Sequence, residues 1–167
     1  MSKNGKTGFT LVEMLAVIVI LGIAAMVVIP SIGDSSDLKL ASAGRQLVAD
    51  LLFAQTYSIA QRKPYQVVFD TVNNSYEIQD PSDGSVIIHP LTKLPYRMDF
   101  PSDNHLSQVS ITAAAFDGGV LVRFDTMGIP YNGAGNQLVG QGQVTLAAGN
   151  QSATVTVEPI SGRINMP

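Results

Sequence analysis

Glu13 is the one charged side chain in an otherwise apolar run, and no charged residue follows it from Met14 to Gly33. A carboxylate placed near the centre of a bilayer costs on the order of 2.5–3.5 kcal/mol, so its presence calls for a compensating group. Two arrangements supply one. Thr10-Leu11-Val12-Glu13 fits the capping box S/T-x-x-E, in which the glutamate reaches back to an unpaired amide at a helix start. The positive end of the helix dipole favours the same placement. Alternatively, Glu13 is a buried charge that meets an opposite charge from another subunit.

Other residues with chemical potential form no catalytic constellation. His89 and His105, the only histidines, lie 16 positions apart in Pro- or Asn-containing stretches that read as loops. Surface histidines are expected there, rather than halves of a catalytic pair or a metal site. Cysteine is absent, which excludes a disulfide framework, a thiolate nucleophile and a Cys-based zinc site. Asp80-Pro81-Ser82-Asp83-Gly84 hints at a calcium loop, but its spacing departs from D-x-[DN]-x-[DN]-G and no late glutamate follows, so it reads as a turn. Gly133-Ala134-Gly135-Asn136 opens no helix that would hold a phosphate, and Asp99 with Asp103 reads as solvated surface. No catalytic residue, metal or cofactor is expected, and the chain is not read as an enzyme.

The element that carries Glu13 runs from Phe9 to Ile29. As a helix this stretch would measure roughly 32 Å, enough for a hydrocarbon core of about 30 Å. Lys3 and Lys6 precede it and Lys39 is the first basic residue after it, which keeps the N-terminus cytoplasmic and sends the remainder outward. A secretory signal has a shorter apolar core of about 7–15 residues. A plain signal-anchor explains length and orientation but not Glu13, and an all-apolar globular helix is rare in a chain this small. The formal net charge is -3; without the two leading lysines, eight basic face 13 acidic side chains. No basic cluster of the kind that binds phosphate backbones is visible, so no nucleic acid is expected as a partner.

Lys6-Thr7-Gly8-Phe9-Thr10-Leu11-Val12-Glu13, followed by the apolar run, resembles the processing site of type IV pilins and type II secretion pseudopilins. The resemblance implies cleavage between Gly8 and Phe9 by a prepilin peptidase and N-methylation of Phe9. It makes Glu13 and Pro30 hallmark positions for assembly, with Glu13 neutralising the N-terminal amine of a neighbouring subunit. The implied partners are other pilin or pseudopilin subunits, the peptidase and the inner membrane.

Pro30 should interrupt the helix, and Gly33-Asp34-Ser35-Ser36-Asp37 should weaken it before a restart. Leu40, Gly44, Leu47, Leu51, Ala54 and Ser58, beside Ala41, Val48, Leu52 and Ile59, make a stripe at helical spacing, which predicts an amphipathic helix over 37–62 ended by Pro64. Arg45, Gln46, Asp50, Gln55 and Arg62 are assigned to its outer face. Beyond Pro64 the period becomes two, with Tyr65–Asp70 and Ser75–Gln79 forming a hairpin about Asn73-Asn74. Further strands are expected at 86–88, 109–111, 120–124, 143–146, 153–157 and 163–165. The order of elements predicts an α+β fold: a long N-terminal helix, transmembrane then amphipathic, on an antiparallel β-sheet or sandwich.

The stretch Leu47–Arg62, Phe124-Asp125-Thr126-Met127-Gly128 and Val155–Ile164 resemble the GspH/FimT group of minor pilin-like proteins. The implied organisation is a leader at 1–8, a transmembrane helix at 9–29, a kink and amphipathic half-helix at 30–62 and a periplasmic β-rich domain at 63–167. The expected function is that of a minor pseudopilin in the periplasmic pseudopilus of a type II secretion system. The alternative is a minor type IV pilus subunit serving pilus assembly, adhesion or DNA uptake.

Overall fold

The computed structural model describes residues 9–28 and 36–167, and the chain divides into two units at Ser35. In the first, helix α1 spans Leu11–Val28. Its 18 residues rise about 27 Å, slightly less than a bilayer's hydrocarbon core. Among the described residues no helix is long and apolar enough to cross a membrane. The end of the expected span, at Ile29, lies outside the described residues, as do Gly8 and Pro30. Every side chain described from Phe9 to Ala24 is exposed.

The second unit begins with helix α2 (Ser36–Gln61), close to the expected 37–62. Its end is set by Arg62, which adopts a left-handed φ of 52°, while Lys63 N donates to Ser58 O at 3.2 Å and Arg62 N to Ile59 O at 3.3 Å. These two bonds close the last turn as a Schellman motif, so the helix stops before Pro64. Leu40, Ala43, Leu47, Leu51 and Ala54 of α2 enter the core.

Nine strands follow: β1 (Tyr65–Asp70), β2 (Ser75–Gln79), β3 (Arg97–Asp99), β4 (Ser110–Ala115), β5 (Leu121–Phe124), β6 (Pro130–Tyr131), β7 (Gly142–Ala148), β8 (Gln151–Val157) and β9 (Ile164–Asn165). They form two antiparallel sheets, ordered β3-β2-β1-β5-β6 and β4-β7-β8-β9. Helix α2 lies against β1 and β5 of the first and β7, β8 and β9 of the second, so one helix covers both. Alternation in β7 puts Val144, Leu146 and Ala148 inside, and β8 adds Val155 and Val157. The sheets also meet through aromatic rings: Phe69 of β1 stacks on Phe116, just after β4, with centroids 5.7 Å apart. This is an α+β architecture of helices and antiparallel sheets, as the element order predicts.

The expected hairpin forms, with Asn74 at a left-handed φ of 51° and the Asp70 carboxylate accepting from the Val72 and Asn73 amides. Asn74 does a second job, its Oδ1 accepting from Ile111 N of the other sheet at 2.9 Å. The expected strand at 86–88 is corrected. Val86 and Ile88 make only isolated bridges, to Gln79 and Pro95. The pairing stops because Ile87 N donates to Ile78 O instead of Tyr96 O, and His89 O accepts from Lys93 N instead of Leu94 N. Strands β3 and β6 are additional to the expected set. The Asp80–Gly84 stretch is a turn, its two carboxylates accepting from the Ser82 and Ser85 amides.

Candidate processing and assembly site

Thr10 is the N-cap of α1. Its carbonyl accepts from Glu13 N at 3.1 Å and Met14 N at 3.2 Å, and its Oγ1 accepts from Glu13 N at 3.3 Å. Half of the capping box is therefore formed. The reciprocal half is not: among the described residues no amide donates to the Glu13 carboxylate, which is exposed. Phe9 is 73% exposed and Leu11 84%. Capping accounts for the Thr10 hydroxyl and leaves the Glu13 charge available.

In the second unit, two polar residues of α2 depart from the outward orientation that helical spacing assigns them. Asp50 is 4% exposed and turned into the core. Its Oδ2 accepts from Tyr76 Oη of β2 at 2.6 Å, and its Oδ1 from Tyr96 Oη and from Gln46 Nε2, both at 3.0 Å. Burial, then the neighbouring Asp50 charge, pushes the Tyr76 hydroxyl well above the usual phenol range, and Tyr96 shifts the same way for the same causes. Gln55 is half-buried, and its Nε2 donates to Gly128 O at 2.8 Å and Gly162 O at 3.1 Å. The glycines adopt left-handed φ values of 82° and 63°. A Cβ on Gly162 would lie 2.6 Å from Gly128 O. The two C-terminal stretches with the GspH/FimT resemblance thus converge on one amide of α2.

His89 and His105 are both in loops, as expected. His89 Nδ1 accepts from the Leu91 and Thr92 amides, and the exposed His105 backbone is held by Asp103. Asp99 accepts from Ser102.

The prokaryotic N-terminal methylation motif matches residues 3–29. In fold the chain is similar to the type IV minor pilin FimU of Pseudomonas aeruginosa, at 18% identity and a TM-score of 0.52, covering 78% of this chain and 90% of that one. It is also similar to the minor pseudopilin EpsH from the Type 2 Secretion System of Vibrio cholerae, at 9% identity and a TM-score of 0.55, covering 77% and 96%. No curated protein matches it in sequence. The chain thus joins a prepilin-type methylation motif to a pilin-like fold. That fold is similar both to a minor pilin and to a minor pseudopilin.

Proposed function

We propose that the chain is a minor pseudopilin, a structural subunit of the periplasmic pseudopilus of a type II secretion system. The observation that carries this reading is a methylation motif at 3–29 overlapping an apolar helix whose described side chains, to Ala24, are exposed, together with a second unit that has the pilin-like fold. Prepilin peptidase cuts between Gly8 and Phe9, and Phe9 is then methylated. The stretch 9–29 holds the subunit in the inner membrane as a single pass, N-terminus cytoplasmic, with the β-rich unit in the periplasm. Assembly withdraws the helix into a filament, where Glu13 pairs with a neighbour's terminal amine. The free Glu13 carboxylate supports that step, because a charge not used inside its own helix is available to another chain. Small residues Gly22 and Ala24 on α1 permit close approach of helices. The role is structural, not enzymatic.

The likeness to the minor pilin FimU favours a second reading, a minor subunit of a type IV pilus. Deleting the gene and assaying both protein export and pilus-dependent motility separates them. A secretion defect with normal motility supports the pseudopilin; the reverse supports the pilus subunit.

A further inference from the structure

Asp50 is the floor of a cleft of about 250 Å³ whose walls include Gln46, His89, Leu94, Tyr96 and Met98. We infer that this cleft is a docking site for a lysine or arginine side chain presented by a partner protein. The inference is independent of which filament the chain joins.

The carboxylate carries the case. All of its donors are neutral: two phenol hydroxyls and one amide. They occupy three of the roughly four acceptor positions a carboxylate offers. Among the described residues it forms no ion pair. The arginine in the wall, Arg97, is turned elsewhere, its Nη2 donating to Ser75 Oγ at 3.3 Å and its Nη1 lying 4.0 Å from Glu77. A buried charge without a counter-charge is costly, and an incoming cation repays that cost.

The walls suit a cation on an apolar stem. Tyr96 lies in an aromatic group with Phe53, at 4.9 Å between centroids, and His89, at 4.5 Å. An ammonium or guanidinium gains further attraction over such a ring. The loop above is held rigidly by His89 N to Leu94 O at 2.8 Å, Lys93 N to His89 O at 3.0 Å and Tyr96 N to Ile87 O at 2.7 Å. It projects three large apolar side chains into solvent: Ile88 at 55%, Leu91 at 85% and Leu94 at 64% exposure. A free amine would leave them wet. A protein surface carrying a basic residue among apolar ones covers them while its charge reaches Asp50, which identifies the occupant as a polypeptide side chain.

The test titrates the full chain, in nonionic micelles, with three probes followed by amide NMR. These are acetyl-Leu-Lys-Leu-amide, the same peptide with norleucine replacing lysine, and putrescine. The lysine peptide should shift residues 46–53 and 88–98 and bind about tenfold or more tightly than the norleucine peptide, the usual effect of removing one partner of a desolvated charge pair. Asp50→Asn, which keeps an acceptor for the tyrosines, should abolish that preference. Equal binding of the two peptides by the wild-type chain overturns the inference without recourse to any variant. So does an unchanged preference in a folded Asp50→Asn chain, and so does putrescine binding as tightly as the lysine peptide, which would make this a small-amine site.

Discussion

The Tyr76 hydroxyl donates to the Asp50 carboxylate at 2.6 Å, joining the middle of α2 to the second strand of the first sheet inside the core. Tyr76 is 1% exposed, so water does not reach this bond from the strand side, whereas Asp50 opens on its other side to the cleft. Removing one side leaves the other unsatisfied, which costs about 1–3 kcal/mol. Tyr76→Phe should therefore lower stability by about that amount in denaturant unfolding, with an unchanged m-value. Loss of much less would mean that Tyr96 and Gln46 suffice to hold the carboxylate.

The same pair makes stability sensitive to alkali. Both tyrosine hydroxyls are raised from the ordinary value of 10.0 by burial and then by Asp50. A phenol raised in the folded state favours folding fully while the unfolded chain's tyrosines are still protonated. Its contribution is lost as pH climbs above 10, where unfolding releases protons the native state retains. The unfolding midpoint should be flat up to about pH 9 and fall from about pH 10 onward, with the fall reduced in a Tyr76→Phe, Tyr96→Phe double variant. A midpoint equally steep in both proteins would assign the alkaline loss to other groups.

Gln55 with Gly128 and Gly162 makes a second lock. Gly162→Ala places a side chain in a left-handed conformation and against the Gly128 carbonyl. Strain of about 2 kcal/mol or more should lower the melting temperature of a unit this size by about 4–8 °C. Gly84→Ala is the control: its φ of 74° is similarly left-handed, but no atom lies within 4 Å of the added carbon. Equal losses at both sites would show that backbone strain alone, not the Gln55 clasp, sets the cost.

These locks show where reading a sequence stops. The residue 3–29 motif is legible because its spacing is local and covalent. Helix α2 and strands β1, β2, β5, β7 and β8 are legible because one buried face imposes a period. Asp50 and Gln55 read as outward-facing because periodicity sorts polar residues to solvent. Their partners are remote: Tyr76 and Tyr96 lie 26 and 46 residues from Asp50, and Gly162 lies 107 from Gln55. The three-residue β3 and the two-residue β6 are too short to show alternation, and β6 begins on Pro130, which only an edge strand tolerates.

Glu13 allows capping and charge pairing to be separated. Thr10 Oγ1 already caps the Glu13 amide, so the carboxylate is not needed for that bond. Glu13→Gln should be processed normally and fold normally, yet enter filaments as poorly as Glu13→Ala, measured by immunoblot of sheared or cross-linked assemblies. Thr10→Ala should cost only the cap, about 0.5–2 kcal/mol in helix stability. Normal incorporation of Glu13→Gln would reduce Glu13 to a helix-start residue.

The most direct measurement is intact mass spectrometry of the chain recovered from cells with an active prepilin peptidase. The account predicts a polypeptide beginning at Phe9 with one added methyl group, and a Gly8→Val variant that keeps residues 1–8. A wild-type chain retaining its leader, or trimmed at another position, would contradict it.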